Sequence, residues 1–463
     1  MQLSCRHRQP CKQPLEARGA GRIPLQCTSL AHLRPRVAFV WCEHTSALLY
    51  HLLCVRGDRL SDTILIVGAS HAGVHGAEAL RKEGFTGRIV LVGAEPHLPY
   101  QRPPLSKKLL AGELPFERSL LKAASYYEQA RIELKLGTRV TAIACDQHQA
   151  TLSTGETLSY DRVLLCTGSR GRPLNVPGLK LQGVVELRTY DDVIQLRGRF
   201  RPGARLVVVG AGYIGLEVAA TCLQLGYDVT VLEMTERAMS RVVAPIVSTF
   251  YANEHTARGV KLHFNTTVTE FVGDTEVHEV VCADGRRFRA DVVVVGIGIL
   301  PVTDLASAAG IACDNGILVD EHCRTSAPDV FAAGDCTNHP SPRYGRRVRL
   351  ESVDNAFEQA RSAAANMVGK PVVHDKVPWF WSDQYDLKLL IVGLSQGYDS
   401  FVMRGDPAAR SFCLCYLRAG ELIAVDALNN AKDYMAARKL IAERARLDAA
   451  RIADAAVALK DAH

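Results

Sequence analysis

Arg205-Leu-Val-Val-Val209 runs straight into Gly210-Ala-Gly212-Tyr213-Ile214-Gly215, and the residues after Gly215 have helical spacing. The order is strand, tight turn, helix. Gly210 permits the turn, Gly212 lets a backbone approach a pyrophosphate, and Gly215 lets the helix pack on the strand with its N-terminus toward the phosphates. Asp228 to Leu232 reads as the next strand and ends at Glu233. A carboxylate there accepts from ribose hydroxyls and repels a 2′-phosphate, and no Arg follows before Arg237, so NAD is expected over NADP.

The pattern also stands 142 residues earlier, where Asp62 to Val67 leads into Gly68-Ala-Ser70-His-Ala72-Gly73. Ser70 replaces the middle glycine and weakens this copy. The strand Arg88 to Gly93, followed by Glu95, restores it. One such fingerprint is a weak signal; two, each with its strands and its acid, are a strong one. Two more strand ends follow. Asp161 to Leu165 leads into the small turn Thr167-Gly168, and Thr325 to Asp335 ends in Gly334-Asp335. Asp335 is placed to bond a ribityl hydroxyl, and an adjoining helix is expected to aim its N-terminus at a flavin pyrimidine edge.

The rest of the chain is consistent with a globular oxidoreductase. Its 463 residues are 48% hydrophobic and 22% charged, which suits two to four domains. The net charge of +6 lies in the first sixty residues, where nine Lys/Arg face three acids, leaving 46 of each sign beyond. A neutral body does not hold a polyanion, so no nucleic acid is expected. Five of the 14 cysteines also fall in that segment, and the other nine show no CxxC or cluster-ligating spacing. No metal site, protein-borne iron-sulfur cluster or redox disulfide is therefore expected. Cys413 and Cys415 read as buried strand residues, and unpaired thiols suit a cytoplasmic protein. Val37 to Val55 carries Glu43, His44 and His51, so no membrane span is expected. Residues 1–60 read as an unstructured or spurious extension, with a natural start near Leu60-Ser61-Asp62.

On these fingerprints, together with Pro99-Tyr-Gln-Arg102-Pro-Pro-Leu-Ser-Lys107, Leu187-Arg188-Thr189, Arg349-Leu-Glu351-Ser-Val353-Asp-Asn355 and Trp379-Phe-Trp381-Ser-Asp383-Gln384, Asp62 to about Leu440 resembles a known group. These are the FAD-dependent, NADH-using ferredoxin reductases of bacterial oxygenase systems, within the glutathione-reductase-like flavoproteins. The resemblance implies an α/β fold of two Rossmann-type dinucleotide-binding domains plus a C-terminal α+β domain. It implies that Ala72, Glu95, Lys107, Val140, Arg188, Asp335 and Val353 contact FAD, with Lys107 near flavin N5. Gly68, Ser70, Gly73, Arg102, Thr167 and Gly168 join that FAD set. Gly210, Gly212, Tyr213, Ile214, Gly215, Glu233 and Gly298 form the NAD set. Glu217 is implied beside the nicotinamide, paired with Lys107, and Trp381 on the re-oxidising side of the flavin. Ser70, Leu390 and Val302 depart from the group's pattern, and Val302 changes hydrogen bonding beside the flavin.

The expected domains are 61–171 with 294–378 for FAD, 172–293 for NAD, and 379–463 as the cap. The resemblance implies that NADH passes a hydride to FAD and that electrons then leave singly for a [2Fe-2S] ferredoxin serving a cytochrome P450 or a ring-hydroxylating dioxygenase. The segment Arg343-Tyr-Gly-Arg346-Arg347-Val-Arg349 reads either as a basic loop that steers an acidic ferredoxin or as a solvated or internally paired loop. Two functions compete on the same fold. An NADH oxidase needs a reactive Cys that the stretch from Glu95 to Gly112 lacks, and an apoptosis-inducing-factor-like redox sensor usually carries an added interaction domain.

Overall fold

The structure, a computed structural model, describes residues 62–463. The readings for the first sixty residues, including their start site and five cysteines, lie outside the described residues. Along the chain come β1 (Thr63–Val67), α1 (His71–Lys82), β2 (Arg88–Val92), β3 (Ile132–Lys135) and β4 (Arg162–Leu165). Then follow β5 (Val184–Glu186), β6 (Arg205–Val209), α2 (Tyr213–Gln224), β7 (Asp228–Leu232), α3 (Pro245–Ala257), β8 (Lys261–His263) and β9 (Val292–Val295). The remainder is β10 (Val330–Ala332), α4 (Val353–Met367), five strands β11 (Trp379–Gln384), β12 (Leu387–Gly393), β13 (Ser400–Asp406), β14 (Ser411–Arg418) and β15 (Glu421–Leu428), and α5 (Ala431–Ala442).

Two parallel sheets repeat one plan. The first is ordered β10-β4-β1-β2-β3 and the second β5-β9-β6-β7-β8. In both, the strand before the glycine turn lies at the centre. In each, a three-stranded antiparallel sheet comes just before one neighbour of the central strand, residues 140–159 before β4 and residues 268–289 before β9. The central strands are unbroken apolar runs because both faces are covered. Ile64, Leu65 and Ile66, like Leu206, Val207 and Val208, are buried, each contributing roughly 1.5–3 kcal/mol of burial. The fifth strand comes from opposite directions: β10 arrives from downstream, β5 from upstream.

The glycines of the turns are required sterically. A Cβ on Gly68 would stand 2.1 Å from Cys166 O, and one on Gly73 1.9 Å from Gly68 O. Gly210 and Gly215 would meet Gly296 O at 2.4 Å and Gly210 O at 2.1 Å. Small residues set the other face: α1 packs on α4, where Ala356, Ala360, Ala363 and Ala364 are buried, and a Cβ on Gly76 would meet Leu164 at 2.7 Å.

Some expectations need correction. The run Thr325 to Asp335 is not one strand: residues 326–329 turn, only Val330–Ala332 pairs in the sheet, and no helix adjoins Asp335 in sequence. A hairpin of Thr337–Ser341 and Arg346–Val348 intervenes before α4, whose first turn is capped by Ser352. The expected basic loop is that hairpin. Arg343 donates to Ile441 O at 2.7 Å, Arg347 to Val319 O at 2.6 Å and to Asn338 O, and Arg349 pairs with Glu351. Internal carbonyls and one carboxylate thus hold three of the four guanidinium groups, the internally paired alternative.

The C-terminal segment holds five antiparallel strands ordered β11-β12-β15-β14-β13. Cys413 and Cys415 are buried on one face of β14, and burial pushes the Cys415 thiol up to about 12. The nine described cysteines are free. Among the described residues no helix is long and apolar enough to cross a membrane.

Candidate active site

The two glycine turns open on one continuous cleft of about 1510 Å³. Gly68, Ser70 and Ala72 line one end, Gly210, Gly212, Tyr213, Ile214, Gly215 and Glu233 the other, and Lys107 and Glu217 are also in the wall. Arg102, Thr167, Gly168, Arg188, Gly298, Asp335, Val353 and Trp381 complete the set the sequence brings together. Two expected residues stand apart. Gly73 is packed beneath Gly68, as its role in helix packing requires. Val140 does not line the cleft, although its neighbour Arg139 does, because Val140 is tied into the antiparallel sheet opposite Leu152.

The cleft fits two dinucleotides. Neither Ser70 nor Gly212 gives its helix a side-chain cap, so the first N–H groups of α1 and α2 face the cleft without that partner. A Cβ on Gly212 would meet no protein atom within 4 Å; it would point into the open cradle. At the second cradle, Glu233 accepts from Ala211 N at 2.7 Å and from Thr235 N at 2.9 Å, which holds its carboxylate at the end of β7.

At the first cradle, Glu95 accepts from Tyr100 and Arg102, and Arg102 also donates to Arg188 O at 2.9 Å. Arg188 donates to Ser169 Oγ at 2.8 Å, and the same hydroxyl lies 2.8 Å from Asp335 Oδ2. Arg188, Ser169 and Asp335 thus form a cation, a hydroxyl and a carboxylate in one row. Gly334, before Asp335, is fixed by Gln359, whose Oε1 accepts from Gly334 N and Thr337 Oγ1, each at 2.8 Å. Val302 lacks a polar side chain, yet its carbonyl accepts from Thr167 Oγ1 at 2.6 Å and its N–H donates to Gly168 O at 2.9 Å. Its backbone anchors the turn.

Between the cradles, Lys107 Nζ donates to Glu217 Oε2 at 2.7 Å. Glu217 is buried on α2 and takes two further donors, Ser106 Oγ at 2.6 Å and Ser382 Oγ at 2.8 Å. Backbone carbonyls hold Lys107 as well: its Nζ reaches Pro103 O at 3.3 Å, and the prolines at 103 and 104 start the short turn that aims it.

The sequence did not single out Ser106, Ser382 or His71. Hydroxyls carry no periodicity that would mark them. His71, the first residue of α1, lines the cleft; burial, then the charges of Arg102, His75 and Arg188, pull its pKa to about 3. It is neutral, which suits a site already holding two guanidinium groups.

Residues 62–360 match the family described as pyridine nucleotide-disulphide oxidoreductase, and 379–463 match the reductase C-terminal family. The chain belongs to the pyridine nucleotide-disulphide oxidoreductase family. It is 43% identical to the 5,5′-dehydrodivanillate O-demethylase ferredoxin reductase subunit of Sphingobium sp., over 86% of this chain and 97% of that one. It is likewise 43% identical to putidaredoxin reductase of Pseudomonas putida, over 87% and 96%. The solved covalent putidaredoxin reductase–putidaredoxin complex superposes with a TM-score of 0.84 at 43% identity, covering 87% of this chain and 98% of that one. As a member of this family the protein is an FAD- and NAD(P)H-dependent oxidoreductase.

Proposed function

We propose that this protein is an NADH:ferredoxin oxidoreductase that passes electrons singly to a [2Fe-2S] ferredoxin of an oxygenase system, either a cytochrome P450 or a ring-hydroxylating dioxygenase, in the cytoplasm. The relatives named as ferredoxin reductases support the reading. The observation that carries it is the single cleft in which two cradles meet at the Lys107–Glu217 pair, walled by Phe380 and Trp381 of the C-terminal sheet. We assign residues 61–171 and 294–378 to FAD, 172–293 to NADH and 379–463 to the cap.

Bound FAD supplies the conversion of a two-electron donor into one-electron transfers. The protein positions and charges the site. Lys107 holds a fixed cation where negative charge develops, and Glu217 holds Lys107. Asp335 and Glu95 accept from sugar and ribityl hydroxyls, while the helix N-termini of α1 and α2 bind the pyrophosphates. The Glu233 carboxylate selects NADH over NADPH by repelling a 2′-phosphate. Among the described residues the thiol that lines the cleft is that of Cys166, which is buried and pushed well up by desolvation, as suits a site that works without a thiolate. Arg346 and Arg349 line the cleft mouth, and there Arg346 is exposed and bonded to Gln396 at 3.0 Å. They offer the positive charge that an acidic ferredoxin meets.

Anaerobic stopped-flow mixing tests the reading. NADH should bleach the yellow protein, and an added [2Fe-2S] ferredoxin should restore the colour faster than air does. A colourless protein, or one re-oxidised by oxygen and not by any ferredoxin, refutes it.

A further inference from the structure

The second oxygen of Glu217 leads away from Lys107 into a chain of buried polar groups. Ser382 Oγ, on β11, lies 2.8 Å from Glu217 Oε1, and Gln384 Nε2 lies 3.1 Å from Ser382 Oγ. Gln384 Oε1 then meets His255 Nε2, on α3, at 2.8 Å, and His255 Nδ1 meets the Tyr385 hydroxyl at 3.0 Å. Ser382, Gln384 and His255 are all at most 1% exposed. The chain thereby ties α2, the C-terminal sheet and α3 together at one carboxylate.

The direction of every bond follows from its end. A carboxylate only accepts, so Ser382 must donate to Glu217 and accept from the Gln384 amide nitrogen. That orientation turns Gln384 Oε1 toward His255, whose Nε2 must then carry the proton. Nδ1 is left as the acceptor for Tyr385. A ring with one donor and one acceptor is neutral, and burial, which pulls the His255 pKa down, agrees with this. All four donors point toward Glu217. An amide does not hand a proton on as a hydroxyl or imidazole does, so the chain orients the carboxylate and does not conduct protons to it.

We propose that Ser382, Gln384 and His255 are positioning residues for the Lys107–Glu217 pair: a one-way array of donors that fixes the Glu217 carboxylate from the side opposite Lys107. The array makes the tautomer of His255 depend on the charge of Glu217, three hydrogen bonds away. Its catalytic consequence rests on the proposed function, in which that pair serves hydride transfer.

The test is ¹⁵N NMR of the histidine-labelled holoenzyme, with the His255 signals identified by their loss in His255→Asn. The wild type should show the Nε2–H tautomer. Glu217→Gln presents an amide that can donate to Ser382, which allows the array to reverse, and the Nδ1–H form should appear. Gln384→Leu combined with Glu217→Gln should abolish that response. A wild type in the Nδ1–H form, or a Glu217→Gln protein whose tautomer is unmoved, overturns the inference. In rapid mixing, Ser382→Ala should lower the limiting rate of flavin reduction about tenfold, with NADH affinity kept and Ser382→Thr restoring the rate. Loss of affinity alone, or no rescue by Thr, also overturns it. Absent bleaching of the wild type by NADH marks failure of the functional reading; normal bleaching with a fixed tautomer marks failure of this inference alone.

Discussion

Lys107 Nζ stands 2.7 Å from Glu217 Oε2 across 110 residues of chain, joining the turn after the second strand of one sheet to the helix after the central strand of the other. The pair is one of few charge contacts shared by the two cradles, and it lies in the cleft wall. Removing the cation with Lys107→Met should slow flavin reduction by NADH on the order of a hundredfold, as loss of a fixed charge-stabilising donor does. Glu217→Gln keeps the shape and loses the charge, so its effect should be smaller. Stopped-flow absorbance reads both, and an unchanged Lys107→Met rate refutes the role.

Two glycines that look alike in sequence should respond oppositely to alanine. At Gly68, φ is +113° and a Cβ would stand 2.1 Å from Cys166 O, so Gly68→Ala should lower the melting temperature sharply or prevent soluble expression. At Gly212, φ is −77° and a Cβ meets nothing within 4 Å. Gly212→Ala should therefore keep stability within about 0.5 kcal/mol while NADH affinity falls. Thermal unfolding beside an NADH titration separates the two; a Gly212→Ala protein with wild-type affinity would show that the dinucleotide does not lie over that turn.

Cofactor preference should turn on Glu233 and its neighbour. Met234 is exposed in the cleft wall directly after that carboxylate. Glu233→Ala with Met234→Arg removes the repulsion and adds a phosphate partner, so the ratio of kcat/KM for NADH over NADPH should fall at least about tenfold. Steady-state reduction of ferricyanide with each dinucleotide measures it, and an unchanged ratio would place specificity elsewhere.

Why these cradles were legible and other parts were not has a physical basis. Buried parallel strands such as Thr63–Val67 and Arg205–Val209 leave continuous apolar runs, and a glycine whose Cβ would strike a carbonyl leaves a fixed spacing. The edge strand Ser400–Asp406 leaves neither, because Phe401 and Met403 are exposed while Arg404 is buried against Asp433. Hydroxyl partners such as Ser106 and Ser382 become visible only when distant segments meet. The arginines at 343 and 347 left two readings open for the same reason: their partners are backbone carbonyls at Ile441, Val319 and Asn338, which have no signature in side-chain chemistry.

That pairing sharpens the docking prediction. Arg347 anchors its hairpin, so reversing it would disturb the fold; Arg346 is exposed and bonds only to the Arg347 carbonyl and Gln396 among the contacts described. Arg346→Glu should raise the KM for the ferredoxin severalfold at low salt, with the difference shrinking as salt screens the charge. Equal loss of ferricyanide reduction would show that the change reaches the flavin site rather than the docking surface.

Asp426 supplies a pH dependence of stability with a sign that can be worked out. It is buried on β15, it accepts from the Tyr416 hydroxyl at 2.5 Å, and desolvation raises its pKa from 3.8 to about 7, with the Tyr416 bond opposing. From about pH 4 to 7 the folded protein keeps a proton that the unfolded chain has released, so stability falls as pH rises through that window and levels off above it. His71, His339 and His374 act in the opposite sense: burial lowers them to about 3, 3 and 4, so their contribution is full above 6.5 and is lost as pH falls. Comparing variant with wild type isolates the carboxyl. Asp426→Asn still accepts from Tyr416 but cannot ionise, so its advantage over wild type should grow by about 2.7 kcal/mol from pH 5 to pH 8. Melting temperatures of both proteins across that range measure it, and parallel curves would mean that Asp426 stays ionised in the folded protein.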